Sequence, residues 1–555
     1  MEFHAKRIGS DILNIPKDTL LRREEGKGME FIKARGKAIV TESDREILLQ
    51  GVGLGGWLLP EGYMWKLYND CDRPRRMEEL IQSQCSEEFS RSFWNRYLEE
   101  YITERDVELI SQWGFNCVRL PMNARTLCRR TEGRMEFIPE AAGRMDQLIE
   151  WCRSRKVYVI LDMHGAPGGQ TGTNIDDCER DQPELFMDAR YQKELIELWE
   201  MLAIRYAAEP CIAGYDLLNE PLPQWFCQYN KEVLPLYGTL IRAIRNHDKK
   251  HMIILEGVHW ATDFSIFEPL REGLLDDNLM LQFHKYWSNP DRESIREYLD
   301  WREQLNVPLL MGEGGENNKD WYYGLFHLLR QERISYCFWS YKKMETENSL
   351  ISFRKPEHWD RIVKALKDGE TLEAKEALPI WEDFLLAVSD CRSHNEVANA
   401  ILGRAPMNIP APYYSGYHIQ SKRIPGAILR EQDPVTILYQ SDEKKMGIPD
   451  FKRYGGEEQP EQERLFVRLE EGDSVWYEIE SGRKPYMVSI LCRSGKNQGL
   501  AVTITDRNAS FRRELQPEEY FMELPVLSEE LSEGPVRILV MSGGTVDIIA
   551  IRVQE

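Results

Sequence analysis

Short apolar runs alternate along the chain with stretches in which apolar positions recur every three or four residues. Eight such runs occur, at 47–59, 116–121, 157–165, 212–221, 252–257, 279–287, 307–315 and 334–341. Between them, segments such as 145–156, 191–206, 233–245, 295–304 and 321–330 have the spacing of helices that bury one face. Continuous rather than alternating apolar runs are what strands covered on both faces require. Eight of them interleaved with helices predict a closed parallel (β/α)8 barrel. The competing arrangement is an open doubly wound sheet. The barrel is favoured because polar, chemically competent residues repeatedly occupy the C-terminal ends of the runs, where barrels build their sites.

After about residue 395 the pattern changes. Pro406, Pro410, Pro412 and the Tyr413, Tyr414, Ser415, Gly416 stretch read as a linker or loop. Beyond it come short strand-like segments separated by turns such as Gly472-Asp473, Ser494-Gly495 and Gly543-Gly544. The expected organisation is an N-terminal extension (1–46) packed on the other units, a catalytic barrel (47–395) and a smaller all-β unit (396–555), a β-sandwich. Whether the sandwich binds a ligand or buttresses the barrel stays open.

Charge narrows the partners. With 92 acidic and 71 basic residues the formal charge is −21, which disfavours nucleic acid and anionic membrane surfaces. No stretch approaches the ~18 consecutive apolar residues of a membrane span, and the N-terminal segment has no apolar core of signal-peptide length. Fifteen tryptophans and 42% hydrophobic residues are enough for a substantial core. The eleven cysteines are scattered with no C-x-x-C pair, which favours reduced thiols and a cytoplasmic location. Oligomeric state is not legible.

Gly51-Val-Gly53-Leu-Gly-Gly56 matches a dinucleotide fingerprint, but Pro60 and Gly62 follow where the helix must begin. The glycines are expected instead to let the first strand bend as it delivers Trp57 toward the open end. The acidic loop from Asp176 to Asp181 matches no cation-binding spacing, and a solvated face is expected. No H-E-x-x-H, G-K-[ST] or G-x-S-x-G pattern occurs, so neither a metal nor a cofactor is expected. What remains is carboxylate chemistry. The fourth run ends in Asn219-Glu220-Pro221, and the seventh in Gly312-Glu313-Gly-Gly-Glu316. Two glutamates on strands 4 and 7 of one barrel converge across its mouth.

Trp113-Gly-Phe-Asn-Cys-Val-Arg119-Leu-Pro, Leu161-Asp-Met-His164-Gly, Asn219-Glu220-Pro, Phe283-His284-Lys-Tyr286-Trp, Gly312-Glu313-Gly and Phe338-Trp339-Ser follow one another in an order that resembles glycoside hydrolase family 5 over about residues 47–345. The stretch from His164 to Gln170 also resembles the branch with exo-acting β-glucanases. The resemblance implies a retaining mechanism without cofactor, with Glu313 as nucleophile and Glu220 as acid/base. Arg119 would orient Glu313, Asn219 would meet the sugar 2-hydroxyl, and His164, His284 and Tyr286 would complete the pocket. Trp339 would form its floor, and Trp57 would contact sugar. Glu316 is the rival nucleophile. Trp225, Trp260 and Trp287 are further candidates for sugar contact, some of them plain core.

The implied substrate is a neutral β-linked glycan or short oligosaccharide. Three long connections, 61–85, 166–190 and 342–356, rise at the expected mouth and suggest a walled pocket and exo-action. Endo-cleavage of a β-glucan or mannan, other specificities including furanosides, and a non-catalytic carbohydrate-binding barrel are the alternatives.

Overall fold

The structure, a computed structural model, describes residues 28–67 and 71–555 together with the two-residue strand Lys6–Arg7. The rest of the N-terminal extension expected to pack on the other units lies outside the described residues.

Eight strands close into a barrel: β1 (Gln50–Gly53), β2 (Cys117–Asn123), β3 (Tyr158–Gly165), β4 (Ile212–Asp216), β5 (Met252–Glu256), β6 (Leu279–His284), β7 (Leu309–Glu313) and β8 (Ser335–Phe338). Every neighbouring pair is parallel, β8 returning to β1. Register sets the chemistry: Asp162 lies level with Asp216, Glu256 with Gln282, and His284 with Glu313. Polar side chains therefore form a tier at the C-terminal end of strands that are otherwise apolar.

The helices between strands follow from local sequence. In α1 (Ala189–Tyr206), Asp188 caps the N-terminus by accepting from Arg190 N, and Leu195, Leu198, Trp199, Leu202 and Tyr206 are buried along one face. At the opposite end of the barrel, the antiparallel strands Ile32–Arg35, Ala38–Thr41 and Glu46–Ile47 cover the opening. Ile32, Ile39 and Ile47 pack there against Ile160, Met252, Ile254, Met280 and Leu310. Substrate thus has one open end to approach.

The C-terminal unit is a β-sandwich of two six-stranded sheets. One contains Ser474–Ser481, Leu500–Thr505, Ser510–Leu515 and Gly534–Ser542, joined at its edge by Lys6–Arg7; the other is centred on Lys484–Ser494 and Val546–Gln554. The proline-rich stretch expected to be a linker is a packed junction. Met407–Pro410 pairs with Val553–Ala550, and Tyr413 and Tyr414 are buried. A Cβ on Gly324 of the helix Lys319–Gln331 would lie 2.8 Å from the Tyr413 ring, so the glycine admits that ring. The expectation failed because proline and glycine mark turns without saying whether the turn is buried. All eleven cysteines are free thiols, most of them buried among apolar neighbours.

Candidate active site

The fully buried guanidinium of Arg119 organises the mouth. Its Nε donates to Asp216 Oδ2 (2.8 Å), Nη1 to Glu313 Oε1 (2.7 Å), and Nη2 to Asn219 Oδ1 (2.7 Å) and Glu256 Oε1 (2.9 Å). Asp162 Oδ2 stands 3.2 Å from Nη1. Only a planar fork of five N–H donors can serve so many acceptors at once. Burial pushes the Asp216 carboxyl well above its ordinary value, with Glu256 adding to the rise, so it is held neutral. Burial opposes the charge on Glu256 too, but His284 and Arg119 overcome it and keep that carboxylate ionised.

Glu220 follows β4 in a left-handed backbone conformation, φ +45°. Such a residue is strained by ~1–3 kcal/mol and persists only when its surroundings fix it. They do: its N–H goes to Glu256 Oε2 (2.7 Å), Asn219 N to Met163 O (3.0 Å), and Leu222 N to Gln170 O (3.2 Å). The carboxylate is thereby turned into the mouth, where His284 Nδ1 lies 2.6 Å from its Oε1.

Glu313 ends β7. Tyr286 OH donates to its Oε2 (2.9 Å), and Arg119 holds the other oxygen. One oxygen each of Glu220 and Glu313, with a ring nitrogen of His284, all lie within 4.8 Å of one another. That spacing suits the ~5–5.5 Å carboxyl separation of retaining glycosidases and is short of the ~6.5–9.5 Å of inverting ones. Among the described residues this is also the one histidine–carboxylate grouping close enough to hold a cation. The adjacent guanidinium and phenol, however, already aim donors at Glu313, an environment for a carboxylate rather than for a second positive charge. Burial pushes the Glu313 carboxyl up, while His284 and Arg119 pull it back. Burial alone would lower the His284 pKa; Glu256, Glu313 and Glu220 reverse this and keep the ring protonated.

Trp339 lies at the end of β8, its indole parallel to the His164 ring (centroids 5.5 Å apart, 7° between planes) and its Nε1 donating to Tyr63 OH (2.9 Å). His164 is oriented by Asp162 through Nδ1 (2.8 Å) and has Asn219 Nδ2 3.4 Å from its Nε2. The glycine-rich segment after β1 now has its physical reason. A Cβ on Gly53 would stand 2.5 Å from the Trp339 ring, and one on Gly55 would stand 2.7 Å from it. These glycines clear space for an indole from β8; they do not deliver Trp57.

Trp57 itself is a correction. It is 2% exposed, its Nε1 donates to Leu98 O (2.8 Å), and it packs in the helical layer beside Ile102 and Trp151. The turn at Gly56, φ +83°, directs it away from the mouth. Arg119, His164, Asn219, Glu220, His284, Tyr286, Glu313 and Trp339 are brought together; Trp57 is not. Trp225 and Trp260 pair edge to face (5.3 Å, 78°) on the loops after β4 and β5, and Trp287 lies beyond Tyr286. Glu316 lies past the strand end and pairs with Lys343 (3.2 Å).

The acidic loop is the expected solvated face only in its second half, where Glu179, Arg180 and Asp181 are exposed; Asp176 and Asp177 are buried, and the protein's own donors occupy the carboxylates. Asp176 accepts from Thr171 N (2.7 Å) and Cys178 N (2.9 Å), Asp177 from Asn123 and Arg75 N (both 2.9 Å), and Asp181 from Arg73 (2.7 Å) and Arg76 (2.8 Å).

Sequence reading passed over Asp162, Asp216, Glu256 and Gln282, all fully buried and all part of the network around Arg119. Their signal was present: each is a polar residue within or ending a largely apolar strand, a position that burial makes expensive unless a partner is built in. Glu61 was also missed. It is 5% exposed, and burial, reinforced by the charges of Glu313 and Glu316, raises its carboxyl well above the ordinary range.

A parallel barrel carrying two buried glutamates at the ends of β4 and β7, within reach of one reacting atom, has the architecture of the barrel glycoside hydrolases. The model of the cellulase family, glycosyl hydrolase family 5, matches residues 81–345 of the chain. A β-xylosidase of Phanerodontia chrysosporium is 33% identical over 239 residues, 43% of this chain and 48% of the relative. Endoglucanase C of Acetivibrio thermocellus is 24% identical over 315 residues, 46% of this chain and 88% of the relative. A probable glucan 1,3-β-glucosidase A of Emericella nidulans is 26% identical over 284 residues, 48% of this chain and 66% of the relative. The chain thus spans about half the length of the β-xylosidase it matches.

Proposed function

We propose that the protein is a retaining β-glycosidase acting on short neutral β-linked oligosaccharides or small glycosides from one end. The observation that carries this reading is the glutamate pair, with oxygens of Glu220 and Glu313 inside 4.8 Å. Glu313 attacks the anomeric carbon while the glycosidic C–O bond breaks, and Glu220 gives its proton to the departing oxygen. In the second step Glu220 takes a proton from water, which attacks the same carbon and releases Glu313. Two inversions give net retention.

The remaining residues hold these two in place. Arg119 and Tyr286 fix both oxygens of Glu313, so the attacking carboxylate needs little reorganisation. Asn219 has its carbonyl engaged by Arg119, so its amide, which has two N–H donors and lies 3.4 Å from His164 Nε2, is the group turned to donate to the sugar 2-hydroxyl. Trp339 offers an indole face to the C–H face of the pyranose. The unpaired thiols suit a reducing compartment such as the cytoplasm.

Exo-action is supported by the relatives named as a β-xylosidase and a probable glucan 1,3-β-glucosidase. The relative named as an endoglucanase supports endo-cleavage as the second reading. A panel of nitrophenyl β-glycosides, extended to β-glucan and mannan polymers, tests both. Release of nitrophenol with little loss of polymer viscosity is expected. Rapid loss of viscosity would establish endo-action, and sugar binding without turnover of any substrate would overturn the enzymatic reading.

A further inference from the structure

Residues 448–457 belong to the C-terminal unit in sequence, yet they dock on the barrel mouth. Three buried asparagine amides on the loops after β7 and β8 donate to its carbonyls: Asn317 to Phe451 O (2.6 Å), Asn348 to Tyr454 O (2.8 Å) and Asn318 to Glu457 O (3.0 Å). Gly456, φ +88°, comes so close that a Cβ would stand 2.9 Å from Asn348 Cβ. A segment whose main chain is gripped at three points keeps a fixed position.

That position presents a side chain. Tyr454 is 55% exposed, and its ring meets Trp287 edge to face, with centroids 4.6 Å apart at 72°. Trp287 is anchored through Nε1 to Glu316 O (3.0 Å), and its ring lies 5.5 Å from that of Tyr286, whose hydroxyl bonds Glu313. Three aromatic rings therefore lead from the nucleophile to the C-terminal unit. Polar groups accompany them at the mouth: Lys343 paired with Glu316 (3.2 Å), Tyr63, and the carboxyl of Glu61.

Direction follows from the chemistry. Glu220 protonates the departing oxygen, so the leaving group passes over the loops after β4 and β5, beside Trp225 and Trp260. The sugar on the other side of the bond then runs past Glu313 toward the loops after β7 and β8, on which Trp287, from the loop after β6, is anchored and Tyr454 is docked. Indole and phenol faces pack on pyranose C–H faces, while charged neighbours take the hydroxyls.

We infer that Trp287 and Tyr454 bind a second sugar, one unit beyond the reacting one on its non-reducing side, and that the C-terminal unit is thereby part of the substrate site. The substrate class is then glycosides of β-linked disaccharides and short oligosaccharides. This rests on the glycosidase reading above.

The test compares matched nitrophenyl β-monosides and β-biosides of glucose and xylose on the full chain. Tyr454→Ala is expected to raise KM for the preferred bioside about tenfold, the equivalent of about 1.4 kcal/mol. Its kcat and its kinetics on the monoside should stay within twofold of wild type, and Tyr454→Phe should behave as wild type. Docking uses the Tyr454 carbonyl, so the melting temperature should not move. Trp287→Phe, a second variant, should show the same bioside-selective rise. Equal losses on both substrates, or no change on either, overturn the inference. If the wild-type protein turns over neither substrate, the glycosidase reading fails instead. Calorimetric binding of the free disaccharide to wild type and Tyr454→Ala then decides the sugar site by itself: weaker binding by the variant supports it, and equal binding overturns it.

Discussion

Replacing Arg119 with lysine keeps the charge and removes the fork. Arg119 serves Asp216, Glu313, Asn219 and Glu256 at 2.7–2.9 Å. A lysine ammonium is a single point on a flexible stem and reaches one or two of these acceptors. Each lost hydrogen bond to a charged partner costs ~1.5–3 kcal/mol. Asp216, already held neutral, loses less, and the freed carboxylates recover part by taking protons. The net expectation is ~3–5 kcal/mol of destabilisation, the usual cost of breaking a buried ion pair from one side. Against a total of ~5–15 kcal/mol the variant folds but is weakened. Catalysis falls further, because Glu313 Oε1 loses the donor that positions it, and misplacement by ~1 Å costs on the order of 100-fold. Guanidinium unfolding followed by tryptophan fluorescence reads the first quantity, and initial rates of nitrophenol release read the second. A variant within 1 kcal/mol of wild type and within tenfold of its kcat would refute the claim that the fork organises the mouth.

Four other outcomes are expected. Glu313→Gln abolishes turnover while Glu316→Gln leaves a measurable rate, because Glu316 lies past the strand end on Lys343; nitrophenol release distinguishes them, and the reverse result exchanges the assignments. Burial raises the Glu313 carboxyl, and attack needs it ionised, so the acid limb of kcat/KM should fall above the ~4.3 of an ordinary glutamate in a pH–rate profile. The His284 pKa is raised in the fold, so its contribution to stability is full below ~6.5 and fades as pH climbs through the folded value. The unfolding free energy of wild type relative to His284→Gln should follow that course. Gly55→Ala places a Cβ 2.7 Å from the Trp339 indole and 2.9 Å from Met64 Cε, an overpacking worth ~1–3 kcal/mol that thermal unfolding reads directly, together with a higher KM as the floor shifts.

The barrel was legible because its strands are buried on both faces and so read as unbroken apolar runs between amphipathic helices. The two glutamates were legible for the related reason that each interrupts such a run at its C-terminal end. Less visible was what depends on register. Asp216 and Glu256 come to share one guanidinium only because parallel pairing sets their strands level around the barrel, and no sequence spacing encodes that. Trp57 misled for a local reason: one glycine at φ +83° turns it into the helical layer. Gly53 and Gly55 looked like a flexible turn because their partner, Trp339, lies almost three hundred residues away in the chain. Tyr454 had no signal at all, since its place at the mouth depends on asparagine amides from two barrel loops meeting carbonyls of a distant segment.

The most direct measurement is to trap the covalent intermediate. A 2-deoxy-2-fluoro glycoside with an activated leaving group slows both chemical steps and the second more than the first, so the glycosyl-enzyme accumulates for peptide mass spectrometry. Double displacement by the Glu220 and Glu313 pair predicts one added sugar, on the peptide carrying Glu313 and on that residue within it. Sugar on Glu316, or an unlabelled protein that releases product of inverted configuration, would contradict it.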